Sequence, residues 1–76
     1  MQAQQLIRDG RRYGWNVKTA RYLTEDKILL EFEKPFPNKD YHVYVLVDSE
    51  GQVLKSYNFF QREIPLDLRA WDAHVK

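Results

Sequence analysis

Positions 41, 43, 45 and 47 read Tyr, Val, Val and Val, with His42, Tyr44 and Leu46 between them. This is the clearest period of two in the chain and predicts a strand with its valine row on a core. Residues 27–33 alternate in the same way, Ile28, Leu30 and Phe32 against Leu29, Glu31 and Glu33, and predict another strand. Between the two, Pro35 and Pro37 mark 34–40 as a loop, because neither can donate to a sheet ladder. After position 47, Asp48-Ser49-Glu50-Gly51 predicts a hairpin turn with glycine where positive φ is needed, and 53–60 returns antiparallel. The inner face of that returning strand is ambiguous. Val53, Lys55, Tyr57 and Phe59 mix apolar with polar, and so do Leu54, Ser56, Asn58 and Phe60, so a slip of one residue exchanges the faces. Residues 15–23 alternate more weakly, with Arg21 on the side of Trp15, Val17, Thr19 and Leu23, and a turn follows at 24–26.

A period near 3.6 replaces the period of two at both ends. On a helix over 3–14, Ala3, Leu6, Ile7, Gly10, Tyr13 and Gly14 share one arc, and Arg8, Arg11 and Arg12 lie opposite. Gly10 sits mid-arc, where a missing side chain lets the helix backbone approach a sheet, and Gly14 is placed to end the helix in the left-handed region. Near the C-terminus, Pro65 suits a first helical turn, Asp67 that turn or the cap, and Leu68, Trp71 and Val75 share one stripe. The expected architecture is α+β, in the order α-β-β-β-β-α. It has an amphipathic N-terminal helix, a three- or four-stranded antiparallel sheet and a short C-terminal helix, both helices on one face.

Seventy-six residues make one domain, 1–76, which at this size buries roughly 60 to 65% of its unfolded surface. With 43% hydrophobic residues, including four Phe, five Tyr and two Trp, the chain has enough apolar area for one core. The lack of cysteine excludes disulfides and thiolate metal sites and fits a reducing, cytoplasmic setting. Neither the N-terminal Met1-Gln2-Ala3-Gln4-Gln5 nor any apolar run has the form of an export signal or a membrane span.

The charge is unevenly shared. Residues 1–23 carry Arg8, Arg11, Arg12, Lys18 and Arg21 against Asp9, a net of +4, and the remainder carries a net of −3. Such a basic third suits an anionic partner, and Arg8, Arg11, Arg12, Lys18 and Arg21 on phosphates with Tyr22 on a base would make an RNA- or DNA-binding surface. Arginines on the wet side of a helix, two of them in its last turn, also need no partner. The uncovered sheet face offers a second site: His42, Tyr44 and Leu46, with Phe36 on the Pro35-Phe36-Pro37 tip, would suit burial against a protein or a second copy of the chain.

Catalytic equipment is sparse. His42 and His74 are the only histidines, there is no Gly-x-Ser-x-Gly elbow, and no metal or cofactor motif occurs. A catalytic His42 would require an acid, base or arginine beside it in a concavity.

The helix–strands–helix order resembles the layout of double-stranded-RNA-binding domains, which implies RNA contacts from Gln4, Gln5, Arg8, Arg11 and Arg12. The second helix, however, opens Pro65-Leu66-Asp67-Leu68-Arg69, where that family carries lysines. Residues 15–60 resemble the strand-rich part of small RelE-type ribonuclease toxins, which implies a basic cleft on the later strands. Lys55 and Arg62 stand there among Asp48, Glu50 and Glu63. With neither motif complete, the sequence predicts a noncatalytic protein-binding regulator. Nucleic-acid binding is the alternative, and a small ribonuclease-like toxin the third reading.

Overall fold

The computed structural model describes residues 1–75. Helix α1 (Ala3–Arg12) leads into strands β1 (Asn16–Thr24), β2 (Lys27–Pro35), β3 (Asp40–Asp48), β4 (Val53–Asn58) and β5 (Glu63–Ile64), and α2 (Leu68–His74) ends the chain. The strands form one antiparallel meander in sequence order. The sheet therefore has five strands rather than three or four. β5 was beyond the reach of periodicity, because two residues joined by Ser56↔Ile64 and Tyr57↔Glu63 are too short to show an alternation.

Both helices lie on one side. Leu6 from α1 and Trp71 and Val75 from the C-terminal segment share a buried cluster with Leu30, Phe32, Val43, Val45 and Val47, the rows predicted to face inward. Trp15 and Trp71 meet edge to face at 5.5 Å, and Phe32 meets Trp71 in the same manner at 5.5 Å. At Gly10 the helix comes so near the sheet that an added Cβ would stand 3.4 Å from the Trp15 carbonyl oxygen and 3.6 Å from the Phe32 ring. α1 then ends in paired bonds, from Trp15 N–H to Gly10 O (2.9 Å) and from Gly14 N–H to Arg11 O (3.1 Å), with Gly14 at φ 86°. These bonds carry the chain straight down and drop Trp15 into the core ahead of β1.

No side chain caps the start of α1; the hairpin turn does so instead. Ala3 N–H donates to Gly51 O at 2.7 Å and Val53 N–H to Met1 O at 2.8 Å, so the first residues are sewn to the β3–β4 turn. At α2, Asp67 is the cap, accepting from Arg69 N–H at 3.0 Å, and the helix begins at Leu68. Pro65 thus precedes the helix rather than opening it. Its carbonyl is taken by the Trp71 indole N–H at 2.9 Å, which fixes the approach of the chain.

β4 settles its ambiguity against hydropathy. Ser56 and Asn58 are buried and Leu54 is exposed, with a register shift between Leu46 and Val47. Polar residues tolerate the core here because each is fully engaged: Ser56 Oγ donates to Ile64 O at 2.9 Å, and Asn58 Nδ2 to His74 O at 3.2 Å. β4 also ends at Asn58, so Phe59 and Phe60 belong to a turn. β1 departs further from expectation, since every residue of it is exposed. Register shifts at both of its ends break the predicted alternation.

Candidate functional site

The side of the sheet without helices is open. Strand pairing sets two rows across it: Thr19, Glu31, Tyr44, Tyr57 and Glu63, then Arg21, Leu29, Leu46 and Lys55. The twisted surface forms a concavity of about 580 Å3, whose floor is Leu29, Tyr44, Leu46 and Tyr57 and whose rim includes Arg21 and Phe59. A smaller cleft of about 320 Å3 lies in the seam between α1 and the residues entering α2, where Asp9, Arg12, Asp67 and Arg69 line it.

Charged groups around the open face are engaged with one another. Glu31 accepts from the Thr19 hydroxyl at 2.9 Å, and its other oxygen lies 3.0 Å from Nδ1 of His42. No hydrogen bond of good geometry joins the two. Lys18 reaches Glu33 at 3.6 Å, and Lys55 reaches Glu63 at 3.6 Å. Burial, and then the Glu31 carboxylate across the strand, push the Tyr44 phenol above its ordinary value, with Arg21 and Lys18 opposing. The remaining surface is an apolar centre inside a ring of largely self-neutralised charge.

One end of this face rises into the β4–β5 turn. Asn58 Oδ1 accepts from Phe60 N–H (3.0 Å) and Arg62 N–H (3.1 Å), and Gln61 closes the turn at φ 64°. This displays Phe59 and Phe60, 58% and 66% exposed, with Phe59 packed on the His42 ring at 5.9 Å. Sequence reasoning missed both. The signal was an Asx residue opening a turn, as Asp48 does, but the alternation of 53–60 reads through it as strand.

Of the predicted partner residues, His42, Tyr44 and Leu46 do share the open face. Phe36 is not a free anchor: its ring folds onto Tyr41, edge to face at 4.5 Å, with the Lys34 ammonium 5.3 Å from its centroid. The predicted basic set is divided by the sheet. Arg8, Arg11 and Arg12 are exposed on α1, on the helical side, whereas Arg21 lines the open concavity and Tyr22 pairs with core-facing Ile28 on the other face. His42 has the carboxylate that catalysis would require, but that carboxylate is also held by Thr19, and Phe59 packs on the imidazole. Among the described residues, no group of three His, Cys, Asp or Glu could hold a metal ion, and no helix is long and apolar enough to cross a membrane.

Comparison with known proteins brings no relative: no family model, no curated protein and no solved structure matches the chain.

Proposed function

We propose that this protein is a noncatalytic interaction module, working in the cytoplasm, that recruits or inhibits a protein partner through the open face of its sheet. The observation that carries this reading is the apolar centre of that face, Leu29, Tyr44, Leu46 and Tyr57, continued by exposed Phe59 and Phe60. Such a patch suits an anchor from a partner, because large aromatic and aliphatic groups in a water-excluding ring carry most of an interface's binding energy. The hydrogen bond from Thr19 to Glu31 and the pairing of Lys18 with Glu33 and Lys55 with Glu63 support contact by apolar burial over capture of a highly charged ligand.

Nucleic-acid binding is the second reading. It is favoured by Arg8, Arg11 and Arg12, none of which is held in an ion pair among the described residues. Photocrosslinking separates the two. A benzoylphenylalanine at position 46 or 57, irradiated in the cells that make the protein, should yield a discrete protein adduct that the same group at position 8 does not. Adducts from position 8 alone, or adducts to nucleic acid, would overturn the protein-partner reading.

A further inference from the structure

The two edges of the sheet are unequal. β5 is two residues long, whereas β1 presents nine residues whose outer backbone groups pair with no strand. At roughly 3.3 Å per residue such an edge spans about 30 Å. Proteins ordinarily blunt an edge of this length with proline, lysine, bulges, inward charge or a covering element. β1 contains no proline and every residue of it is exposed, and the blunting it has, Lys18 and two register shifts, lies towards its ends. Register shifts between Val17 and Thr19 and between Tyr22 and Thr24 leave a regular ladder over 19–22.

The two faces of β1 differ in chemistry. Towards the open side it carries Thr19, Arg21 and Leu23, with Lys18 reaching over to Glu33; towards the helical side it carries Val17, Ala20 and Tyr22, with Val17 36% and Tyr22 73% exposed. Over 19–22, a strand laid beside it would meet the Arg21 guanidinium on one face and uncovered Ala20 and Tyr22 on the other.

We propose that β1 is a docking edge for an extended acidic segment of a partner protein, added as a sixth strand with an acidic side chain towards Arg21, the cation of this strand held in no ion pair among the described residues, and apolar ones beside Val17, Ala20 and Tyr22. Main-chain bonds would supply affinity, and the alternating side chains specificity. Charge decides against a second copy as the occupant: two β1 strands would bring together two lysines and two arginines with no acid on either strand. Nucleic acid offers charge but no backbone to complete the ladder. The inference rests on the reading that the partner is a protein, and it assigns the segment's chemistry and place.

The probe is a short fluorescent peptide of alternating Glu and Val, titrated with the full chain by anisotropy. Saturable binding is expected, weakened about tenfold or more by Arg21→Glu and unchanged by Arg8→Glu, which makes the same charge change on α1. A Lys–Val peptide should not bind. Two further peptides, N-methylated on alternate residues in the two possible phases, should split, because only one phase turns its methyl groups into the ladder. Absence of binding up to millimolar protein, equal binding of the Lys–Val peptide, equal binding of both methylated forms, preference for a single-stranded oligonucleotide, or a dimer in sedimentation with protected β1 amides would each overturn the proposal. If the peptide fails while photo-adducts persist from position 46, the docking edge falls and the open-face reading stands.

Discussion

Asp48 and Asn58 build the same turn ten residues apart. Each accepts from the N–H groups two and four residues on, Glu50 and Gln52 for Asp48, Phe60 and Arg62 for Asn58. Each turn closes through a residue at positive φ, Gly51 at 82° and Gln61 at 64°. The first turn places glycine where the backbone demands it, and the second tolerates a side chain there while holding two phenylalanines in water. Strain combined with apolar exposure at one tip is the combination found at binding sites.

Gln61→Gly should relieve this strain and stabilise the fold by about 1 kcal/mol, read as a higher midpoint in urea. Gly51→Gln should destabilise by about as much or more, since its Cβ would also stand 3.0 Å from Gln2 Oε1. If Phe59 and Phe60 serve an interface, Gln61→Gly will gain stability while loosening the tip, and partner affinity will not rise with it.

Tyr44 makes the fold sensitive to alkali. Its pKa is raised above the ordinary 10.0 by burial and by Glu31, so the folded state holds the phenolic proton more tightly than the unfolded chain does. The stability this contributes is complete below pH 10.0 and is lost as pH rises through the folded value. Tyr44→Phe should flatten the fall in stability on that alkaline limb, and phenolate absorbance should show one late-titrating tyrosine missing.

Lys34 ties β2 to α2. Its ammonium is 2.8 Å from Asp72 Oδ2 and lies 5.9 Å from the centroid of Trp15 and 5.3 Å from that of Phe36. Asp72 is about half exposed, so solvent screens the pair, and a Lys34→Met/Asp72→Asn double-mutant cycle should give a coupling of only about 0.5–1 kcal/mol, smaller in high salt. Lys34→Met alone should cost more than that coupling, because the Trp15 and Phe36 contacts go with the charge.

Gly10 marks the closest approach of helix and sheet. Gly10→Ala sets a helix-propensity gain of about 1 kcal/mol against a tight contact with the Trp15 carbonyl, and should leave thermal stability nearly unchanged. Gly10→Leu has no room beside Phe32 and should destabilise by about 1–3 kcal/mol, with changed near-UV dichroism from Trp15 and Trp71.

Much of the frame was legible because single residues announced it. Val43, Val45 and Val47 read as a buried row, Gly10 and Gly14 as a close approach and a helix stop, and Asp67 as a first-turn residue or the cap, of which the structure makes it the cap. What hydropathy misreads is Ser56 and Asn58, whose partners are backbone carbonyls on neighbouring segments and leave no pattern along the chain. The exposure of all of β1 is likewise invisible in its composition, since Trp15, Val17 and Leu23 read as an apolar row and burial depends on which neighbours reach them. The open face was legible through His42, Tyr44 and Leu46, but its aromatic tip was not, because a turn made by a buried asparagine looks like continuing strand. Phe36 on its proline-flanked tip could either reach out or fold back, and the structure folds its ring onto Tyr41, a contact that nothing in Pro35-Phe36-Pro37 reveals.

The stitching of the N-terminus to the β3–β4 turn has a bearing on the order of assembly. Each hairpin of the meander closes over a short loop and needs only its neighbour in sequence, so the sheet can zip up early. Helix α1 has no such option, because its first N–H needs the carbonyl of Gly51 and its underside needs the ring of Phe32. Helix α1 precedes the whole sheet along the chain, yet it can take its seat only once the β3–β4 turn and β2 are in place to receive it.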